Sequence, residues 1–491
     1  MKKNMIEKCL LLCGLSILTV LTPAASCTEE DEPPTSSTRT SRGASAFTSW
    51  YNKSGLMTRT AASYTNGEVA SPYAVRLTDQ RYQTVEGFGA AITPASCYNL
   101  MKMPEAERTA FLKEFFSPEE GMGASLVRIS IGGSDFSLDF YTWEDRQGSF
   151  APHNNDLSYV IPILKEIKAI NPELRIIASP WTAPAWMKEN AWGNNGFQGG
   201  HLAAAHYDDY ATYLVKWLRH FSDEGLEVLA ITLQNESLTD ANPMSMRMNS
   251  DEAAAFVKKL GPAVRNAGLT TKLLVYDHNY DYEGDTDQKK YPLNIYADSD
   301  AAQYVAGSAW HGYHDPVTEL DDIRLKAPDK EIWFTEASIG TWWDDYDDTK
   351  FSQNLSGDFR KNFMGTLKRN GKGVTLWNLM LDNRNGPSLG PLNCYGVVTL
   401  KDDNKTLIRN SQYYEIAHCA RVIRPGAVRV GTEGYTRANI DYLAFVNPDG
   451  SWAVIVQNDN QDSQQMVFVS MSHSVKTTIP GNSIVSLTWK D

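Results

Sequence analysis

The chain is short of the features that mark several large protein classes. Only six cysteines occur in 491 residues, and three of them (Cys9, Cys13 and Cys27) crowd into the first 27 positions. The remaining three, Cys97, Cys394 and Cys419, are odd in number and widely spaced. That arrangement allows one bridge at most and excludes a scaffold stapled by disulfides. Basic residues are outnumbered, 46 Lys and Arg against 59 Asp and Glu, for a net charge of −13, and they form no stripe. Phosphate backbones need clustered cations, so nucleic acid is excluded as a partner. Beyond residue 20 no stretch is apolar enough to span a bilayer, and no nucleotide fingerprint or zinc-ligand spacing appears, so no cofactor is implied. Long low-complexity segments are also missing. With 42% hydrophobic and 21% charged residues, the composition is that of a large folded chain able to build more than one domain.

What the sequence has in quantity is aromatic surface, including 13 Trp. Most individual aromatics serve as core. Several together beside polar groups also suit sugar rings, whose C–H faces are apolar while their hydroxyls need hydrogen bonds.

The N-terminus reads as an export signal. Lys2 and Lys3 precede an apolar run from Cys9 to Val20, followed by Ala24-Ala25-Ser26-Cys27. Small residues directly before a cysteine resemble a bacterial lipoprotein cleavage site with Cys27 as the lipidated residue, although Ala24 stands where leucine is usual. An acidic and Ser/Thr-rich stretch (residues 28–45) then reads as a flexible tether. The expected location is outside the cell, anchored to the outer membrane or surface of a Gram-negative bacterium.

From residue 84 short β-rich runs alternate with helical stretches. The expected strands are Thr84–Ala91, Ser125–Ile131, Arg175–Pro180, Val228–Gln234, Leu273–Asp277, Val305–His311, Glu331–Glu336 and Val374–Leu379. Between them lie helical patterns such as Glu105–Phe116, Leu157–Ile170, Ala203–Ser222, Asp251–Ala267 and Phe351–Arg369. Near-continuous apolar strands separated by helices imply buried parallel βαβ units. Eight of them predict an α/β fold, a (β/α)₈ TIM barrel over residues 84–410. Residues 411–491 read as an antiparallel β-sandwich side domain: Leu443–Val446 and Trp452–Val456 flank the turn Asn447-Pro-Asp-Gly450. Strand-like sequence at 46–83, notably Tyr73–Tyr82, is expected to join it, so that both chain ends build the side domain.

A barrel carries its active site where the strands end. The fourth strand runs into Gln234-Asn235-Glu236 and the seventh closes on Thr335-Glu336. Two carboxylates facing each other across a barrel mouth, about 5 Å apart, are the requirement for retaining glycoside hydrolysis. A lone Glu at a strand end is more often a loop salt bridge. Two such residues, with Arg128, Asp135, Trp181, His278, His311, Tyr313, Trp377 and Asn378 at the other strand ends, favour a sugar site.

Apart from His278, these positions fall in six of seven runs: Glu86-Gly-Phe-Gly-Ala-Ala91, Arg128 to Ser137, Ala178 to Trp186, Gln234-Asn-Glu236, His311-Gly-Tyr313, Phe334-Thr-Glu-Ala337 and Trp377-Asn378. In content and order they resemble glycoside hydrolase family 30, whose members include glucosylceramidases, β-1,6-glucanases and β-xylosidases. The resemblance implies Glu236 as acid/base and Glu336 as nucleophile. It also implies Asn235 at the sugar 2-hydroxyl, Asp135 and Trp181 at the far hydroxyls, Trp377 in the pocket wall, and Arg128 and Tyr313 beside the nucleophile, with His311 in the pocket. Ser237 departs from the family's usual proline. A cation and a phenol beside Glu336 are expected to keep it ionised, and a drier Glu236 is expected to be protonated at rest.

Three other motifs read as structure. Gly386-Pro-Ser-Leu-Gly390 matches a serine-hydrolase elbow, but Pro387 and Pro391 prevent the helix that elbow needs. His311 and His314 lack a third metal ligand. The acidic runs Asp281–Asp287 and Asp344–Asp348 read as solvated loops. The expected function is an extracellular β-glycosidase, foremost an endo-β-1,6-glucanase. An exo-acting β-glucosidase, a glucosylceramidase or a β-xylosidase is the alternative, and a surface glycan-binding lipoprotein the non-enzymatic one.

Overall fold

The computed structural model describes residues 43–341 and 348–491, so Cys27, the tether to residue 42 and most of the acidic run Asp344–Asp348 lie outside the described residues. Each of the eight expected barrel strands is present: Gly87–Ala90, Leu126–Ile131, Arg175–Pro180, Val228–Thr232, Lys272–Asn279, Val305–His311, Glu331–Glu336 and Gly371–Leu376. They pair in parallel in the order 1-8-7-6-5-4-3-2. Closure between the first and second strands comes from Ser125 N–H to Phe88 O (3.0 Å) and Ile92 N–H to Arg128 O (2.8 Å). Parallel strands need long crossovers, and helices supply them, among them Glu105–Phe116, Tyr207–Asp223 and Ser250–Asn266. The last of these starts with the Glu252 side chain reaching back to accept from the Asn249 N–H at 2.6 Å, one half of a capping box.

Local sequence explains the tight closure. A Cβ at Gly89 would run into the Leu126 carbonyl and one at Gly373 into that of Gly87, so glycine lets the first, second and eighth strands close up. The six side chains Leu126, Ile177, Ala230, Leu274, Ala309 and Trp333 form a separate apolar plug.

Ten strands form a second sheet. Ser45–Trp50 and Ser483–Trp489, from opposite ends of the chain, pair side by side, and Ala74–Thr84 joins Val428–Gly434 to Gln464–Ser470. Val75, Phe468 and Val475 from one part of this sheet share a core with Ala46, Val454 and Val485 from the other, so the sheet folds over into a sandwich. Its inner layer also shares a core with the barrel, through Phe47, Phe445, Ile455 and Ile484. The segment assigned to this β module begins differently from its expected form: Ser411–Ala420 is a helix, and every one of its residues is buried. His418 on it bonds to Ser49 and Ser486 of the sandwich at 2.8 and 2.7 Å. Burial lowers the His418 pKa to about 3, so the ring is neutral. Cys97, Cys394 and Cys419 are all free and buried.

Gly89→Ala tests the closure. Without room for the methyl group, the first and second strands must part, and overpacking of this kind costs about 1–3 kcal/mol. The expected result is a fall of that size in urea unfolding. Unchanged stability would show that the strand approach does not depend on glycine.

Candidate active site

The site is built at the C-terminal ends of the strands around a fully buried guanidinium. Arg128, on the second strand, donates from Nε to Ser179 Oγ (3.1 Å), from Nη1 to Glu336 Oε2 (2.5 Å), and from Nη2 to Asn235 Oδ1 (2.7 Å) and Asp277 Oδ2 (2.8 Å). Its π-face lies over Trp181 (4.9 Å) and Trp377 (5.6 Å), which stack on each other at 5.1 Å. One side chain on the second strand thus positions groups at the ends of the third, fourth, fifth, seventh and eighth strands.

Asp277 is the counter-charge, a residue that the sequence pattern does not single out. It accepts from Arg128, Ser179 Oγ (2.9 Å), Thr232 Oγ1 (2.8 Å), Thr335 Oγ1 (2.6 Å) and His311 Nε2 (3.1 Å). Burial alone would raise its pKa, but the Arg128 and His311 charges and these donors hold it far below the usual carboxylate range. Its placement comes from a bulge. The fifth strand loses register between Tyr276 and His278, with positive φ at Tyr276 (80°) and Asp277 (57°). Two consecutive residues can therefore serve one site: Asp277 meets Arg128, while His278 Nε2 lies 3.1 Å from Glu283 and 4.0 Å from Glu236.

Glu236 comes after the fourth strand with φ at 48°, a strained conformation for a residue with a side chain, and Glu236 N–H to Asp277 O (2.9 Å) anchors it. Ser237 supports the same turn: its hydroxyl donates to Tyr276 O at 2.8 Å, an anchor that proline could not supply. The Glu236 carboxylate accepts from Asn242 Nδ2 (2.7 Å) and faces His311 Nδ1 (3.3 Å). Glu336 accepts from Arg128 and from the Tyr313 hydroxyl (2.9 Å). Carboxylate oxygens of Glu236 and Glu336 lie within 4.8 Å of each other and of a His311 ring nitrogen.

Both carboxylates, Asp135, Tyr313 and Trp377 border a cavity of 620 Å³. Arg128, Trp181, Asn235 and His311 do not line it; they stand directly behind the residues that do. Asp135 has one buried oxygen, Oδ1, without a protein partner. Burial and the Glu336 and Glu236 charges raise its pKa to about 8, making it a neutral acid with a hydrogen bond to offer. The Gly386–Gly390 segment is a loop: Ser388 Oγ donates to Asp135 O (3.1 Å), and adjacent Pro391 lines the cavity. His314 turns away from His311 and meets Asp281 (3.2 Å) and Glu283 (3.7 Å). Glu236, His311 and Glu336, and separately Asp281, Glu283 and His314, approach closely enough to share a cation.

The expected order of ionisation is reversed. The Glu236 side chain is no drier than that of Glu336 (13% exposed against 7%). Burial raises Glu236, but the hydrogen bond and charge of His311, the charge of His278 and Asn242 together bring it below its ordinary value. Burial likewise raises Glu336; His311, Arg128 and Tyr313 pull it back, the Glu236 charge pushes it further up, and it stays high. Two buried carboxylates this close titrate as a pair, with one proton between them. His311 is itself pushed up to about 9: burial opposes its charge, but Glu336 and Asp277 outweigh burial.

Because the folded pKa of His311 lies above the unfolded value, its stabilisation is complete below about pH 6.5 and is lost as pH rises through about 9. The stability advantage of wild type over His311→Gln should shrink by roughly 3 kcal/mol between pH 6 and pH 10, measured by urea unfolding. A constant difference would mean that His311 is not held as a cation.

Similar proteins share both parts of this architecture. The description of the glycosyl hydrolase family 30 TIM-barrel domain matches residues 85–423, and that of the family's β-sandwich domain matches residues 426–487. The solved structure of the endo-β1,6-glucanase BT3312 superposes with a TM-score of 0.88 at 43% identity, covering 91% of this chain and 99% of that one. Endo-1,6-β-D-glucanase neg1 of Aspergillus fumigatus is 31% identical over 408 residues, 77% of this chain and 78% of that protein. Lysosomal acid glucosylceramidase of Mus musculus is 25% identical over 433 residues, 84% and 82% of the two chains. With both family domains matched in order and the eight-stranded barrel in place, this chain belongs to glycosyl hydrolase family 30 and is a glycosidase.

Proposed function

We propose that the protein is a retaining endo-β-1,6-glucanase, exported and lipid-anchored through Cys27, that works on extracellular glucan. The observation that carries the reaction type is the approach of the Glu236 and Glu336 carboxylates to within 4.8 Å at the mouth of one cavity. Retaining enzymes hold the two groups close because one of them bonds to the sugar; inverting enzymes leave room for a water between them. The linkage is supported by the β-1,6-glucanases to which the chain is similar, BT3312 and the Aspergillus fumigatus enzyme among them. The location is supported by the signal-like N-terminus and the small residues before Cys27.

In the first step a Glu336 oxygen attacks the anomeric carbon while Glu236 gives its proton to the departing glycosidic oxygen, leaving a covalent glycosyl-enzyme. Arg128 and Tyr313 hold the Glu336 carboxylate in position. In the second step Glu236 takes a proton from water, the hydroxide attacks the same carbon, and Glu336 leaves as a carboxylate. Only the state with Glu336 ionised and the proton on Glu236 is productive. His311, with Nδ1 3.3 Å from Glu236 and Nε2 bonded to Asp277, keeps its own proton and orients the Glu236 carboxyl, while the proton shared by the pair moves from Glu336 to Glu236. Asp135, neutral and with a free oxygen, is suited to a sugar hydroxyl, and Trp377 offers the adjoining apolar wall.

A product time course on linear β-1,6-glucan tests the reading. The expected result is an early ladder of oligosaccharides whose new reducing ends are first seen as the β-anomer by NMR. Glu336→Gln should lower kcat roughly a thousandfold or more, and Glu236→Gln comparably for this poor leaving group. Glucose as the sole product would favour exo action, as in the glucosylceramidase alternative. An α-anomeric first product would overturn the double displacement.

A further inference from the structure

The hairpin between the third strand and its helix has no part in the chemistry above, yet it carries the most exposed tryptophan among the described residues. Trp192 is 63% exposed, whereas Trp143, Trp181, Trp217, Trp310 and Trp333 are fully buried. An exposed indole on a mobile loop would mean little, but this one is fixed. Lys188–Glu189 and His201–Leu202 pair as a short ribbon, and Trp192 N–H bonds to Gln198 O at 3.1 Å. The Lys188 ammonium ties the base together through Thr182 Oγ1, Gly196 O and Ser245 O, at 2.8 to 3.0 Å. One edge of the indole rests on Gly199, where φ is +68° and any side chain would collide with the ring. The indole N–H points to Asp240 Oδ2 at 3.3 Å.

The hairpin also grips the segment that positions the acid/base. Gln198 Nε2 donates to the carbonyls of Asp240 and Ala241 (3.3 Å each), and Asn194 Nδ2 to that of Pro243 (2.8 Å). Thr239, Asn242 and Pro243 of that segment line the cavity, and Asn242 holds Glu236. Trp192 therefore stands just outside the cavity rim, one segment from the acid that protonates the leaving group. A flat apolar face bordered by a half-exposed carboxylate matches a pyranose unit, with C–H groups on its face and hydroxyls at its edge.

Resting on the reading of the enzyme as a β-glucanase, we propose that Trp192 is a stacking platform for a glucose unit of the polymer outside the catalytic cavity, with Asp240 accepting from that unit's hydroxyls. Such a subsite engages long chains and leaves the shortest substrates unaided. It gives the enzyme a grip on polymer that the catalytic cavity alone does not provide.

The test compares kcat/KM on linear β-1,6-glucan with kcat/KM on the β-1,6-linked trisaccharide. Trp192→Ala should lower the polymer-to-trisaccharide ratio about tenfold, and Trp192→Phe, which keeps an aromatic face, should restore most of it. Gel retardation by β-1,6-glucan should weaken in parallel when Trp192→Ala is added to Glu336→Gln. A ratio equal to that of wild type overturns the platform. So does an equal loss on both substrates, which would show that Trp192 only braces the Asp240–Pro243 segment behind Glu236. Wild-type enzyme that leaves the polymer intact overturns the endo reading and the platform with it; wild-type enzyme that cleaves polymer while Trp192→Ala matches it overturns the platform alone.

Discussion

The buried ion pair between Arg128 and Asp277 is the constraint on which the whole site depends. Two unit charges inside a protein are not stabilising by default, because desolvation can exceed their attraction. Here the cost is offset by complete satisfaction: the guanidinium donates to four side chains, and the carboxylate accepts from five. Because these partners sit on different strands, the network holds only one arrangement of the barrel mouth. Loss of either charge would leave the other buried with only its second partner, Glu336 for Arg128 and His311 for Asp277, at a cost of up to about 3–5 kcal/mol. The pair thus acts less as a source of stability than as a device that fixes where Glu336 and Asn235 can be.

Charge balance then explains how an acidic cavity can exist at all. Asp277, Glu236 and Glu336 crowd together, with Arg128 and a cationic His311 set among them. Two positive charges neutralise two of the three carboxylates, and the third must share a proton with its neighbour. Asp135, beside them and fully buried, avoids the conflict by remaining protonated up to about pH 8. The chemistry needs one carboxylate charged and one protonated, and the arrangement supplies that total before substrate arrives. Substrate binding has only to decide which carboxylate keeps the proton.

Much of this is legible in the sequence, because strand ends are legible. Apolar runs such as Leu273–Tyr276 mark strands buried on both faces, and the residues just past each run lie at the mouth. Glu236 and Glu336 are found by that rule. Asp277 falls in the same class but escapes it, since alternation along a strand gives no sign of a bulge that turns two successive residues to one site. The helix Ser411–Ala420 escapes for a related reason: its polar residues Gln412, Glu415 and His418 are buried along with the rest, so no solvent-facing side marks it. The ionisation order is not legible because it depends on His278, His311 and Asn242 converging on Glu236, an approach that only the folded chain displays.

The side domain completes the site from the other direction. The helix Asp348–Asp358 and the turns after it place Lys350, Gln353, Asn354, Asp358 and Lys361 along the cavity. That wall is gripped from behind by the sandwich and the turn after its first strand: Gln457 Nε2 donates to Ser356 O at 2.8 Å, Arg360 pairs with Asp459, and the Lys53 ammonium lies 5.0 Å over Phe351. Asp459 in turn accepts from Tyr51 at 2.6 Å, so segments from both ends of the sequence converge on this wall. Gly-Phe-Gly closure fixes the barrel on one side, the hairpin of Trp192 fixes the segment behind Glu236, and the sandwich fixes the opposite wall. A domain whose strands come from both ends of the sequence makes this contact, so one wall of the cavity depends on residues about 300 positions before it and about 100 after it.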